Sequence, residues 1–450
     1  MPADVITKSG FEWATVFRAL RHRNYRLFIG GQFISLIGTW MQNVAQSWLV
    51  YRLTGSSLLL GLIGFVNQVP IFLLSPAGGA AADRVDRRRL IIAAQFSMMV
   101  LATILAALTL GGWIRMWHIF VLAALLGVAN AFDVPARQSF FVQLVGRTDL
   151  MNAIALNSSV FNGARILGPA VAGFLVASLG EGWCFLLNAV SYVAVIAGLL
   201  LIRLDTRPVR EPGSSPLADI IEGFRFVWHT GPIHALLALL GVVSLVGMPY
   251  TVLMPVFADR VLEGGAKSLG LLLGATGIGA LSGALMVAAR RGVKGLGRWV
   301  AIACAAFGTF LLLFSLSRQL WLSMILLVPA GFAVMVQMAC SNTLIQSMVP
   351  DHLRGRVMAL YSMTFLGIAP FGALLAGALA DRLGAPVTVA VGGLVCLAGA
   401  AIFWTRWPAL RVAARELVVA QQLSAGAPPE EITSAASPEG PSIAKSESGA

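Results

Sequence analysis

The sequence predicts an all-α polytopic membrane protein: twelve transmembrane helices in two six-helix bundles related by a parallel repeat. Three observations predict it, namely the number and length of the apolar blocks, the one-sided placement of basic residues, and an internal repeat. The chain has 450 residues, 58% hydrophobic and only 12% charged, against about 25% charged in a soluble domain. The apolar residues fall into twelve blocks, at 27–50, 57–79, 90–111, 118–138, 152–179, 183–203, 233–257, 268–289, 299–316, 321–346, 357–380 and 386–404. A bilayer core about 30 Å thick needs roughly 20 apolar residues per helix. In hydrocarbon the backbone must bond internally, so blocks of this length are helices. Barrel strands would be about 10 residues long and alternating. The first block follows a basic stretch, Arg18 to Arg26. It is too long for a signal-peptide core and lacks a cleavage site, so it reads as span 1.

The net charge of +12 raises the question of nucleic acid, and its placement answers it. With residues 1–26 in the cytoplasm, most Lys and Arg fall in cytoplasmic loops and tails. The exceptions are Arg52, Arg115, Arg260, Lys267, Arg318 and Arg382 in the opposite loops, and Arg165 inside span 5. That asymmetry is the positive-inside signature of an inner-membrane protein with both termini cytoplasmic, and no nucleic-acid partner is expected. The partner surface is the lipid bilayer. Cys184, Cys304, Cys340 and Cys396 are scattered over four spans without metal-ligand spacing. They read as small apolar filler, with no metal and no cofactor.

A shift of 204 residues lays span 5 on span 11. Ala155-Leu156 falls on Ala359-Leu360, Ser158 on Ser362, Phe161 on Phe365, Gly163 on Gly367, Gly168 on Gly372, and Ala172-Gly173 on Ala376-Gly377. The same shift carries span 6 onto span 12 and span 3 onto span 9. An offset of six spans keeps the two halves in one orientation. That is the parallel repeat of one class of secondary transporters, with the binding site between the halves near the midplane. The bundles occupy 27–203 and 233–404. Between them, 204–232 is polar, and Ser215-Pro216 followed by Leu217, Ile220, Ile221, Phe224 and Trp228 reads as a short interfacial helix. The tail, 405–450, reads as cytoplasmic and mostly disordered, rich in Ala, Ser, Pro and Glu after Leu423.

The loop after span 2 reads Gly79-Ala80-Ala81-Ala82-Asp83-Arg84-Val85-Asp86-Arg87-Arg88-Arg89. Glycine permits close packing at the helix end, the acid makes charge-assisted bonds, and the arginines anchor the loop at the membrane face. This resembles the signature loop of the major facilitator superfamily, Gly-x-x-x-Asp-Arg-x-Gly-x-Arg-Arg, with Asp86 where the family usually has Gly. The resemblance implies the major facilitator fold. It also implies that Gly79, Asp83, Arg84, Arg87 and Arg88 form a latch between the cytoplasmic ends of the halves, with Arg137 and the start of span 11 near Gly355-Arg356 as partners for Asp83. The plain alternative is a positive-inside anchor with an ordinary turn.

Span 5 contains Ala164-x-x-x-Gly168-Pro169-x-x-Ala172-Gly173. Small residues allow close helix approach, and Pro frees a carbonyl and bends the helix. The segment resembles the helix-5 motif of the superfamily's antiporters, with Ala at two Gly positions. Gly168, Pro169 and Gly173 then point to export, against a plain packing seam. Gly38-Thr39-Trp40, Pro135-Ala136-Arg137-Gln138, Ala164-Arg165 and Val349-Pro350-x-x-x-Arg354-Gly355-Arg356 add a resemblance to the transmembrane secretion effector branch, which includes enterobactin exporters and macrolide-efflux proteins. The expected substrate is a siderophore-like or drug-like small molecule.

Polar residues within a span are costly and point to function. Gln32, Ser35, Thr39, Gln42, Asn43 and Gln46 recur at helical spacing in span 1, and span 10 has Gln337, Ser341 and Asn342. The resemblance puts spans 1, 4, 7 and 10 around the cavity, so these residues, with Tyr250, are the expected cavity wall. Interhelical hydrogen bonding is the alternative for each. Asp133 is the acid well inside a span, and Arg137 and Arg165 are the bases beside it in the sequence pattern. A carboxylate whose proton affinity changes with burial and with a nearby cation suits proton coupling. A structural Asp–Arg pair suits the same residues. No Walker loop and no His-Glu-x-x-His is present, so neither an enzyme nor an ATP-driven pump is expected. The expectation is a monomeric, proton-coupled exporter. An importer of the same fold, or a receptor that no longer transports, stands as the alternative.

Overall fold

In the computed structural model, residues 18–146, 148–203, 216–290 and 292–424 are described. Twelve long helices follow one another: α1 (Arg23–Thr54), α2 (Ser57–Arg84), α3 (Arg87–Leu110), α4 (Met116–Val145), α5 (Leu150–Leu179) and α6 (Glu181–Leu201). After an interfacial helix, Pro216–His229, come α7 (Gly231–Val261), α8 (Gly265–Ala288), α9 (Leu296–Leu316), α10 (Leu320–Met348), α11 (Asp351–Leu383) and α12 (Ala385–Ser424). Eleven of these are long and apolar enough to cross a membrane. The twelfth, α1, has the length, 32 residues, but its polar side chains lower its hydropathy. Leu73, Phe174, Leu200, Ile325 and Leu316 are each more than half exposed, as lipid-facing side chains are.

Short connections need specific terminators. Gly55 ends α1 in the left-handed conformation, φ 62°, and its N–H bonds Tyr51 O, a conformation that costs glycine nothing. Ser56 caps α2, its hydroxyl accepting from the Leu59 N–H. Asp86 caps α3 by accepting from the Arg88 and Arg89 N–H groups. That accounts for the departure from Gly in the signature loop: the acid satisfies orphan donors and meets the positive end of α3.

α1 to α6 form one bundle and α7 to α12 the other. They meet along two seams, α2 against α11 and α5 against α8. Both seams are built from residues without bulk. A Cβ added to Gly61 would collide with Ala373 O of α11. One added to Gly173 of α5 would lie 2.8 Å from Gly270 Cα, and one added to Gly270 2.6 Å from Pro169 O. Backbone meets backbone there, as small-residue seams in membranes allow.

The end carrying the arginine-rich loop and both described chain ends is called the basic end. At the opposite end the halves are bonded together. Ser57 N–H and Ser56 Oγ–H donate to the two oxygens of Asp381 (2.7 and 3.0 Å), and Arg260 donates to Gly55 O (2.9 Å). The hydrogen bonds found between the halves among the described residues are these three. At the basic end the first three turns of α11, Asp351–Ser362, lie against the interfacial helix and α10, whereas Ile368–Leu383 lies along α2. The molecule is closed at the opposite end and parted at the basic end.

Two C-half helices depart from regular geometry. α7 contains π-helical turns at Val243–Gly247 and Phe257–Val261 around Pro249 and Pro255, and α11 has one at Met363–Gly367. Span 7 read as a plain helix ending near 257; the structure extends it to Val261 and breaks it, because each proline removes a backbone donor. The breaks face each other: Ser244 Oγ donates to Phe365 O at 2.6 Å.

Two expectations shift at the chain ends. α12 continues to Ser424, well past the expected 404, with Pro408 inside it. The expected disorder of the tail lies outside the described residues. The linker helix is present, Phe224 and Trp228 stacked at 5.8 Å and exposed, and Arg356 Nη1 of α11 donates to its Glu222 at 2.6 Å. Ser215, the expected cap, lies outside the described residues. Near the start of α1, Arg18 and His22 both reach Asp149 before α5. The His22 hydrogen bond above all, aided by Arg18, holds the Asp149 carboxyl below the usual range against the opposing effect of burial.

Candidate functional site: charges within the bundle and the seam

Asp133 sits on α4 with no solvent exposure. One carboxylate oxygen accepts from Gln95 Nε2 of α3 at 3.0 Å, and the other is paired with Arg137 one turn on. The spacing of four brings the two charges onto one helix face. Both oxygens therefore have a donor, which a buried carboxylate requires. Gln95 went unnoticed in the sequence, where a single Gln among apolar residues carries no spacing signal. Arg137, 20% exposed, keeps a route to solvent.

Arg165 does not join this cluster. It lies on α5 at the seam, with Gly277 of α8 against its backbone. Its polar neighbour across the seam is the Tyr250 phenol of α7, itself within reach of Thr276. Among the described residues Arg165 forms no ion pair. The expected grouping of Asp133, Arg137 and Arg165 thus separates into an ion pair inside the N-half and a lone cation between the halves. The cause is helix rotation: α4 turns Asp133 toward α3, and α5 turns Arg165 toward α7. Ser158, Asn162 and Arg165 recur at i, i+4 and i+7, exposed, half-buried and half-buried. The lipid stripe of the same helix is Leu167, Val171 and Phe174. α5 thus carries a polar track from the parted basic end toward its centre.

The polar stripe of α1 divides. Gln32, Ser35 and Gln42 are buried on the side packed against α6, where Gly31 meets Ala194 and Gly38 meets Asn188 and Ser191. Gln42 Oε1 accepts from Asn188 Nδ2 at 2.7 Å. Of the three, Gln42 makes the interhelical bond, whereas Gln32 Oε1 is buried without a partner. Thr39 is half-buried and bonds its own helix at Ser35 O. Asn43 is exposed and Gln46 half-buried, so the open wall of α1 is carried by these two and by Trp40, which packs edge-on to Phe161 of α5 at 5.7 Å. On α10, Gln337 and Ser341 are fully buried, and neither Gln337 amide atom nor Ser341 Oγ has a partner. Asn342 Oδ1 accepts from Gln346.

The loop after α2 is not latched across the halves. Asp83 is 70% exposed and touches only its own loop, through Arg87 at 3.5 Å. Neither Arg137 nor Arg356 meets it: Arg137 pairs with Asp133, and Arg356 with Glu222. Arg84 is exposed. Arg87 also donates to Ala82 O and Ser139 O, and Arg88 to Leu199 O and Leu200 O, stitching the N-half helix ends together. Close packing at the end of α2 comes from Gly78, where a Cβ would strike Ala131 O of α4; Gly79 faces open space. In the helix-5 motif a Cβ on Gly168 would strike Trp40 of α1. Gly168 and Gly173 thus fit α5 between α1 and α8, and Pro169 offers its carbonyl to Gly270. The four cysteines are buried free thiols. Among the described residues no group of His, Cys, Asp or Glu could hold a metal.

A family profile, the transmembrane secretion effectors, matches residues 14–432. The chain belongs to this family of major facilitator transporters. It is therefore a membrane transporter and not an enzyme. It is 26% identical over 382 residues to the staphyloferrin A transporter of Staphylococcus aureus (strain NCTC 8325 / PS 47), covering 84% of this chain and 95% of that one. It is 30% identical over 364 residues to the multidrug efflux pump Tap of Mycolicibacterium fortuitum (78% and 88%). Over 378 residues it is 27% identical to the enterobactin exporter EntS of Shigella boydii serotype 4 (strain Sb227) (80% and 85%). Among solved structures, a bacterial homologue of the human lysosomal transporter Spinster matches with TM-score 0.64 at 15% identity, covering 90% of this chain and 98% of that one. A POT family transporter matches with TM-score 0.70 at 12% identity (86% and 96%). These two show the fold.

The buried pair gives a stability test. Arg137→Ala leaves Asp133 charged without its cation, which typically costs roughly 3–5 kcal/mol. The variant should unfold at clearly lower temperature in detergent, and Asp133→Asn/Arg137→Ala should recover most of the loss. A single variant as heat-resistant as the parent would contradict the pair's structural weight.

Proposed function

We propose that the transporter exports a small siderophore-like or drug-like molecule bearing an acidic group, by alternating access and proton antiport, in the bacterial inner membrane with both termini cytoplasmic. The observation that carries this reading is Arg165, a cation without a counter-ion among the described residues, at the seam and at the head of a polar track from the parted basic end. A substrate carboxylate or phenolate would supply the missing charge, and the planar guanidinium suits two-point contact with it. The positive-inside asymmetry assigns the basic end to the cytoplasm, so loading there is loading from inside. Two relatives are named for transport of staphyloferrin A and export of enterobactin, and a third for multidrug efflux. That supports small-molecule export. One chain supplies both walls of the cavity, so a monomer suffices.

Asp133 is the carboxylate proposed to carry the proton. Its acidity would rise and fall as Arg137, which keeps a path to solvent, approaches or leaves. The donors on both of its oxygens favour a second reading, a permanent structural pair. In proteoliposomes, Asp133→Asn should abolish uphill export while still binding substrate. Uphill export at the parental rate would establish the structural reading and leave the transporter itself standing.

Arg165→Ala should weaken binding of an acidic substrate at least tenfold, the scale of about 1.4 kcal/mol for one charge-assisted contact, and change the neutral analogue little. Equal loss for both would remove the charge argument. A protein that moves no tested substrate and no protons would favour a receptor.

For orientation, a reporter fused after Leu423 should be active in the cytoplasm and one near Gly265 in the periplasm. The reverse pattern would overturn the direction of transport.

A further inference from the structure

The signature pattern after α2 occurs a second time. α11 ends Gly377-Ala378-Leu379-Ala380-Asp381-Arg382-Leu383-Gly384, beside Gly79-Ala80-Ala81-Ala82-Asp83-Arg84-Val85-Asp86 at the end of α2. Both read Gly-x-x-x-Asp-Arg-x, and the α11 copy keeps the final Gly that the loop after α2 has lost. The two copies lie on neighbouring helices that run in opposite directions. One acid therefore stands at the basic end and the other at the opposite end of the same seam. The 204-residue repeat does not explain the second copy. It pairs α11 with α5, whose corresponding residues are Gly173-Phe174-Leu175-Val176-Ala177-Ser178-Leu179-Gly180, without the acid or the base.

The structure holds the two copies in opposite states. Asp381 accepts from Ser57 N–H at 2.7 Å and Ser56 Oγ–H at 3.0 Å. It thus takes an orphan donor at the first turn of a helix in the other half, and meets that helix's positive end. Gly377, one turn earlier, is in the seam: a Cβ there would lie 2.6 Å from Ser57 O and 3.2 Å from Gly61 Cα. Asp83 has no partner in the other half, and Gly79 faces open space. Each copy has a glycine and an acid at i and i+4, on one helix face. In the engaged copy the glycine admits the partner helix and the acid bonds its N-terminus. In the disengaged copy the glycine faces open space and the acid meets only Arg87 of its own loop. Arg260, donating to Gly55 O and lying 5.6 Å over the Tyr51 ring, supports the closed end beside Asp381.

We infer that Asp381 is a second gate residue for transport, the counterpart at the opposite end of the latch at Asp83. Asp381 holds α2 when the basic end is parted and releases it when Asp83 engages the start of α11. The seam carries one acid per state, and engagement of one end requires release of the other because α2 and α11 pivot as antiparallel levers. Asp381 is a positioning residue, since it touches helix backbone and not substrate. The inference rests on the alternating-access reading, but its test needs no substrate.

The test uses the full chain in nanodiscs with two spin-label pairs at exposed positions flanking the two acids, none of them a residue whose side chain bonds either acid. Leu58→Cys with Leu383→Cys reports the opposite end, and Val85→Cys with His352→Cys the basic end. The native thiols are buried, so labelling falls on the introduced ones. Asp381→Asn should move the population toward a long Leu58–Leu383 distance and a short Val85–His352 distance. The open-to-closed ratio should change by about tenfold, the scale of one charged hydrogen bond. Asp83→Asn should not reproduce that shift, Asp381→Glu should restore part of the parental distribution, and Ser56→Ala should give a smaller shift of the same sign. Parental distances in Asp381→Asn, with both distances responsive to pH or lipid in the parent, would overturn the gate. If the distances never change in any condition, alternating access itself fails. If Asp381→Asn does not fold, Ser56→Ala decides by the same two readouts, and an unshifted population in it overturns the gate.

Discussion

Hydrocarbon offers no hydrogen-bond partner, and this constraint orders everything else in the molecule. It forces the backbone into twelve helices, because only a helix satisfies its own N–H and C=O groups within a span. It puts charge at helix ends, where Asp86 and Asp381 each complete the first turn of a helix. Deep in the N-half it couples charge to charge, so Asp133 has a donor for each oxygen. Arg165 is the departure. A guanidinium at the seam between the halves, with a phenol as its neighbour, has no carboxylate partner among the described residues.

The second consequence concerns how the halves touch. Interlocked side chains would resist rocking, because cores repack in discrete steps rather than sliding. The seams avoid this by bringing backbone against backbone at Gly61, Gly173, Gly270 and Gly377. Such contacts are close but carry few rotamer constraints. Free energy that distinguishes the two states must then come from elsewhere, and polar contacts at the helix ends are the available source. Loss of Asp381 from α2 would free the Ser57 N–H, which is buried while this end is closed and would meet water as the end parts, so the bond can break at modest cost.

Much of this was legible in the sequence. The lengths of the apolar blocks locate the twelve long helices, eleven of them apolar enough to cross a membrane. What was hidden depends on rotation of helices about their axes. Steps of three and four residues put Gln32, Ser35 and Asn43 on what reads as one stripe. Over about four turns that stripe has width, and α6 takes one edge of it while Asn43 on the other stays exposed. Asp133 and Arg165 are both central in their spans, but depth says nothing about azimuth. The breaks in α7 were readable from Pro249 and Pro255, whereas the π-helical turn in α11 contains no proline and had no local signal. The motif around Asp381 was in plain view. What hides it is the lack of the arginine run that follows Asp83, so Arg382 reads as a single basic residue on the sparsely charged side.

The halves also divide the work. The N-half holds its buried ion pair among helices without π-helical turns, and arginines 87 and 88 tie three of its helix ends by bonds to carbonyls. The C-half has the broken helices. A π-helical turn leaves a carbonyl poorly satisfied, and Ser244 of α7 supplies the donor to Phe365 of α11. The two irregular turns are thus bonded to one another rather than to solvent, and a change of winding in one alters the hydrogen bonding of the other. Tyr250 follows the first break of α7 within one turn and faces Arg165. A shift in the winding of α7 therefore moves the phenol relative to the cation. The cation thus stands on the regular half and its phenol neighbour on the half with the broken helices.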